Sequence, residues 1–168
     1  MKTSRLCVYR LLTALMPETR FWGLKVGLLR WCGAKVGGNV RICSSARFFG
    51  GGGLEIGDDV WVGSGCFIHS VNSAIIKIGN YCDIGPEVMI LTGSHEIDAL
   101  GSHVAGNGTY SNVEIGKGCW LGARSTVLPG VVLADKTLVA AGGMVTKSIF
   151  NEQSLVAGVP ARLKCRLI

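Results

Sequence analysis

Three histidines, His69, His95 and His103, are the side chains best suited to acid–base chemistry in this chain of 168 residues. His95 stands in Ile90-Leu-Thr-Gly-Ser-His-Glu-Ile-Asp, followed closely by two carboxylates, Glu96 and Asp98. A hydroxyl is a poor nucleophile at neutral pH. A neutral imidazole, with an ordinary pKa of about 6.5, can take its proton as attack begins. Either carboxylate could orient such an imidazole, and either could equally be a solvated loop acid. His69 lies beside Ser70 and close to Asn72, and these polar groups could point into one cleft. The three histidines together also raise a zinc reading, although a flexible stretch separates His95 from His103. Seven cysteines occur without a CxxC pair, which argues against a redox motif. Cys66, Cys82 and Cys119 share one slot of the repeat described next and read as small packing residues.

The elements that must position these groups are announced by a six-residue period. Apolar anchors recur at Val36, Ile42, Phe48, then Ile56, Val62, Ile68, then Ile78, Ile84, Ile90, and again at Ile115, Leu121, Val127, Leu133, Val139 and Val145. The residue after the anchor is often glycine, and four residues after it stands a small or β-branched side chain. A period of six fits neither a helix of 3.6 residues per turn nor a continued strand. It fits a short strand and a corner, three times per coil, as in hexapeptide β-helix repeats. The fold class is therefore an all-β solenoid, a left-handed parallel β-helix of about five coils of about 18 residues. The coils span 36–53, 56–73, 78–95, 115–132 and 133–150. The glycine beside each anchor is assigned to the corner for its dihedral freedom. Residues 74–77 read as a bulged corner. Residues 96–114, rich in Gly, Ser and Asn, break the period and read as one projecting functional loop. The domain reading is a helical cap over 1–35, the β-helix over 36–150 and a C-terminal cap or tail over 151–168.

Three C-terminal stretches carry a resemblance. They are Gly118-Cys-Trp-Leu-Gly-Ala-Arg-Ser-Thr-Val-Leu-Pro-Gly-Val-Val-Leu-Ala-Asp, Ala140-Ala-Gly-Gly-Met-Val-Thr-Lys and Leu155-Val-Ala-Gly-Val-Pro-Ala-Arg. With the hexads, they resemble the hexapeptide-repeat acyltransferases, among them maltose, galactoside, nodulation and surface-polysaccharide O-acetyltransferases. The resemblance covers roughly residues 36–166. It implies an acetyl-CoA-dependent O-acetyltransferase acting on a sugar hydroxyl, with acetyl-CoA as acyl donor and no metal required. It implies a homotrimer with active sites between neighbouring solenoids. His95 matches the catalytic base of the family's Thr-x-x-His. Trp120 matches the tryptophan beside the pantetheine arm. Ala123 and Ala141 match small positions along that arm, and a backbone N–H at Gly122 or Ala123 is a candidate oxyanion donor. Thr146, Lys147 and Arg162 match contacts to the nucleotide end. Asn72 stands where simple sugar acetyltransferases often carry an acid, which leaves the acceptor open; His69, Glu96 and Asp98 complete the candidate acceptor set. The alternatives are an N-acyltransferase on an amino sugar, a non-enzymatic hexapeptide scaffold, and a zinc-dependent carbonic-anhydrase-like protein.

Charge divides the chain. Residues 1–47 hold nine basic side chains against one acid, a balance of +8, whereas the remainder is −2. No nucleic-acid motif accompanies this charge. The basic segment also holds Leu, Phe and Trp, so it reads either as an end cap or as a peripheral contact with an anionic membrane, near a lipid-linked glycan acceptor. Arg10 interrupts the N-terminal apolar run, which argues against a signal peptide. The expected location is the cytoplasm, or the inner face of its membrane.

Overall fold

Every anchor of the six-residue period turns inward. Val36 through Val145 are at most 9% exposed, and so are most residues four positions on, among them Val40, Ala46, Val131 and Thr137, with Asn72 and Ser94 the exposed exceptions. A computed structural model describes all 168 residues and shows why. The chain winds into three flat parallel sheets around a triangular core. Sheet one stacks Lys35–Val36, Gly53–Ile56, Ile75–Ile78, Val113–Ile115 and Val132–Leu133. Sheet two stacks Arg41–Ile42, Trp61–Val62, Asp83–Ile84, Trp120–Leu121 and Leu138–Val139. Sheet three stacks Arg47–Phe49, Phe67–His69, Met89–Leu91, Thr126–Val127 and Met144–Val145. Equivalent anchors lie in register from coil to coil, as in Ile56 beside Ile78 and Ile78 beside Ile115.

The glycines after the anchors are required for a different reason than dihedral freedom. The left-handed corner residue lies three places after the anchor, not one. Asn39, Asp59, Tyr81, Glu87, Arg124 and Lys136 hold it with φ between 50° and 62°. Gly57, Gly79 and Gly122 have ordinary φ, but a Cβ at each would stand within 3.0 Å of the backbone of the next coil. They let coils approach closely. The buried cysteines serve the same stacking. The thiols of Cys66, Cys82 and Cys119 donate to the carbonyls of Gly85, Gly116 and Ala134. Burial pushes the Cys66 thiol up to about 11, so it stays protonated and inert.

Two further expectations are corrected. The extra residues between coils form a turn at Val71–Ala74, closed by the Ala74 N–H to the Val71 carbonyl; Ile75–Ile78 is a regular strand. The projecting segment is a β-hairpin rather than an open loop. Gly93–Ile97 pairs antiparallel with Ala105–Tyr110, and His95 faces Gly108.

The N-terminal segment forms α1 (Thr3–Ala14) and α2 (Trp22–Trp31). Leu6 and Tyr9 of α1 and Val26 and Leu29 of α2 join the core. Tyr9 meets Phe48 edge-on at 5.8 Å. Lys25 is buried, and its ammonium donates to the carbonyls of Pro17, Glu18 and Ile42, tying the helices to the first coil; burial lowers its pKa. At the other end Ser154–Ala157 extends sheet two, and Arg162–Arg166 folds back antiparallel on it. In α2, a Cβ at Gly23 or Gly27 would meet nothing within 4 Å. Gly23→Ala and Gly27→Ala should each stabilise the fold by about 0.5–1 kcal/mol, read as a raised urea midpoint with unchanged m.

Candidate active site

His95 is exposed on the hairpin. Its Nδ1 lies 2.9 Å from the Gly106 carbonyl oxygen. A carbonyl only accepts, so Nδ1 carries the hydrogen and Nε2 presents its lone pair outward. This is the tautomer a general base needs. The orienting group is thus a backbone carbonyl, and neither flanking carboxylate takes that role. Glu96 faces Asn107, whose Nδ2 lies 3.5 Å from Oε2. Asp98 accepts from the N–H groups of Leu100 and Gly101 and shapes the hairpin tip. Only the glycine content of 96–114 hinted that the backbone could approach the ring here.

The hairpin leaves the solenoid at the corner between sheets three and one. The acceptor candidates gather at the same corner, one coil earlier. The Val71 N–H donates to Thr92 Oγ1 at 2.9 Å, so the 71–74 turn stacks under the hairpin base. Asn72 is exposed on that turn. His69 ends its strand on the outer face of sheet three, packed edgewise on Phe67 at 6.0 Å and Phe49 at 6.5 Å. No three His, Cys, Asp or Glu side chains converge in a way that could hold a metal ion.

A second group lies at the corner between sheets two and three. Gly122 and Ala123 stack on Ala140 and Ala141, with the Gly142 N–H donating to the Ala123 carbonyl at 2.9 Å. The Gly122 N–H is spent on the Val139 carbonyl at 2.8 Å, so it offers nothing to an oxyanion. The N–H groups of Ala123 and Ala141 have no acceptor within the chain. At the corner between sheets one and two, the N–H groups of Gly38, Asp58 and Lys117 are each taken by an Asp or Asn side chain of the next coil, while those of Asn80 and Asp135 have no acceptor within the chain. Ala123 is half-exposed and Ala141 exposed, so these N–H groups are free to donate to water or to a bound group. Beside this edge, Trp120 stands 54% exposed on sheet two between Asp83 and Leu138. Arg124 pairs with Glu87 at 2.6 Å, and this hydrogen bond holds the Glu87 carboxyl below the usual carboxylate range.

Thr146 and Lys147 follow the last strand of sheet three, and the exposed Lys147 makes no ion pair. The Ala161 N–H donates to the Met144 carbonyl at 2.7 Å, which draws Arg162 toward the same end of the solenoid. The structure therefore gathers the site residues in two sets: His69, Asn72, His95, Glu96 and Asp98 at one edge, and Gly122, Ala123 and Ala141 at another.

Comparison with known proteins places this arrangement. The family described as "Hexapeptide repeat of succinyl-transferase" matches residues 112–147. WcaF of Escherichia coli K12, named as an acetyltransferase of colanic acid biosynthesis, is 35% identical over 139 residues, covering 83% of this chain and 68% of WcaF. The galactoside O-acetyltransferase of Lactococcus lactis is 30% identical over 121 residues, covering 71% of this chain and 56% of its own. The hexapeptide-repeat acetyltransferase VCA0836 of Vibrio cholerae, solved with acetyl coenzyme A, superposes with a TM-score of 0.70 at 22% identity over 99% of this chain and 87% of its own; that likeness is one of fold. On the extent of the match to WcaF, the chain belongs to the hexapeptide-repeat acetyltransferase family and is an acyltransferase built on a left-handed β-helix.

Proposed function

We infer that this protein transfers an acetyl group from acetyl-CoA to a sugar hydroxyl during assembly of a surface polysaccharide, with His95 as general base. The observation that carries the reading is the His95 tautomer: Nδ1–H is committed to Gly106 and Nε2 is free. His95 takes the hydroxyl proton at Nε2 as the oxygen attacks the thioester carbonyl carbon. The unpartnered Ala123 N–H is the donor for the oxyanion that develops there. The C–S bond then breaks, and the proton held by His95 leaves with the CoA sulfur. Trp120 flanks the pantetheine arm, while the Ala141 N–H is available to one of its amide carbonyls. Thr146, Lys147 and Arg162 meet the nucleotide end, where cations suit phosphate. Asn72 and His69, with Glu96 and Asp98 beyond, frame the acceptor. The relatives support this direction: WcaF is named for colanic acid biosynthesis, and VCA0836 was solved with acetyl coenzyme A.

The two halves of the site favour a homotrimer. In one chain, the hairpin edge and the Ala123–Ala141 edge lie on opposite sides of sheet three. A neighbouring copy can bring its own Ala123 edge against this chain's His95. The outer face between them carries the row Arg47, Phe67, Met89, Thr126 and Met144, a largely apolar surface that such a neighbour could cover. Gel filtration with light scattering should return three times the chain mass; a stable monomer would exclude the arrangement.

Release of free CoA thiol from acetyl-CoA, across a panel of sugars and nucleotide sugars, tests the activity. Release should require a sugar hydroxyl. Release with amino sugars alone would move the reaction to N-acylation, and none with any sugar would refute the reading. Lys147→Gln should raise KM for acetyl-CoA about five- to tenfold with kcat little changed, as expected for a contact made equally in ground and transition states.

A further inference from the structure

Helix α1 has two apolar faces, and the fold uses only one. Leu6, Tyr9 and Thr13 are buried beneath it. Val8, Leu11, Leu12 and Leu15 fall at i, i+3, i+4 and i+7, one line along the other side. They are 41%, 71%, 41% and 87% exposed. Phe21, at 60%, and Leu24, at 53%, continue the apolar surface at the start of α2. Single exposed leucines are ordinary, whereas a continuous stripe marks a contact surface.

The charge around the stripe narrows the partner. Lys2 and Arg20 are exposed at the start of α1 and just before α2, Arg5 lies over Trp31 and Arg10 over Phe49, and Glu18 is the one acid among the first 47 residues. None of these four cations makes an ion pair within the chain. Two copies placed face to face on the stripe would set the cations against one another. An anionic bilayer answers both features at once. Its headgroup phosphates meet the cations, and the boundary below them accepts leucine and phenylalanine side chains. No helix is long and apolar enough to cross a membrane, so the contact is interfacial.

We propose that the outer face of α1, with Phe21 and Leu24, docks this acyltransferase on an anionic lipid surface. The proposal does not depend on the assignment of acceptor or base. It bears on delivery: a lipid-linked glycan and the enzyme would meet on one surface.

Flotation of the full-length protein with vesicles tests it. The protein should rise with phosphatidylcholine vesicles containing phosphatidylglycerol, not with phosphatidylcholine alone, and high salt should weaken the association. Leu11→Ser with Leu15→Ser should reduce partitioning by about tenfold or more. Lys2→Gln and Arg20→Gln should each reduce it by about fivefold. Because these side chains are exposed, melting temperature and turnover of a soluble acceptor should stay as in the parent. Three results would overturn the proposal: no flotation with phosphatidylglycerol at low salt, equal flotation with both vesicle types, or a loss of oligomeric mass in the double leucine variant, which would assign the stripe to a second copy.

Discussion

His95→Ala should lower kcat by about 10²–10⁴-fold, the range a positioned general base contributes, while KM for acetyl-CoA stays within about twofold. The side chain is exposed and makes one hydrogen bond, to the Gly106 carbonyl. Its removal therefore leaves no core cavity, and melting temperature and oligomeric mass should match the parent. Companion variants separate the base from its surroundings. Glu96→Gln should retain most of the turnover, because Glu96 faces Asn107 and not the imidazole. Asp98→Asn should also keep its chemistry, with any loss traceable to a looser hairpin tip. If Glu96→Gln were as damaging as His95→Ala, the carboxylate would be the orienting group and the Gly106 bond incidental. Wild-type turnover in His95→Ala would end the assignment of the base.

The solenoid was legible because its core enforces a simple rule. Each face of the triangle admits one apolar side chain per strand and one small residue at the next corner, and both recur in the sequence at fixed offsets. The hairpin was not legible for the opposite reason. Almost every residue from Ser94 to Tyr110 is exposed, so no inside–outside alternation marks its strands. The group that fixes the His95 tautomer was hidden with it, since a backbone carbonyl has no signature beyond the strand register that delivers it. The split among the candidate oxyanion donors is of the same kind. Gly122 and Ala123 are neighbours, and only the winding of the coil decides that one N–H joins the ladder and the other does not. The small-residue edge itself was marked through the family resemblance, which matches Ala123 and Ala141 to small positions one coil apart.

Gly79→Val should destabilise the protein by about 3 kcal/mol or more, at the upper end of the overpacking range. A Cβ at Gly79 would stand 2.8 Å from the Gly116 carbon and the Lys117 nitrogen and 3.0 Å from the Gly116 oxygen. All three are backbone atoms, so no side chain can swing aside. The coils would have to part, straining the bond from the Gly79 N–H to the Ile115 carbonyl, now 2.8 Å. For a chain of this size each kcal/mol lowers Tm by about 2–4 °C, so a fall of about 6–12 °C is expected. Because each coil contacts only its neighbours, weakening this junction should also broaden the transition. Gly108→Ala is the control: a Cβ there meets nothing within 4 Å, and Tm should barely move. A comparison of Gly79→Ala with Gly79→Asn then separates the two reasons a glycine can be needed. If left-handed backbone were the requirement, Asn would be tolerated better than Ala. If close stacking is the requirement, damage grows with side-chain size, and Asn should be the worse of the two. The ordinary φ of Gly79 and the crowded backbone beside it point to the second outcome.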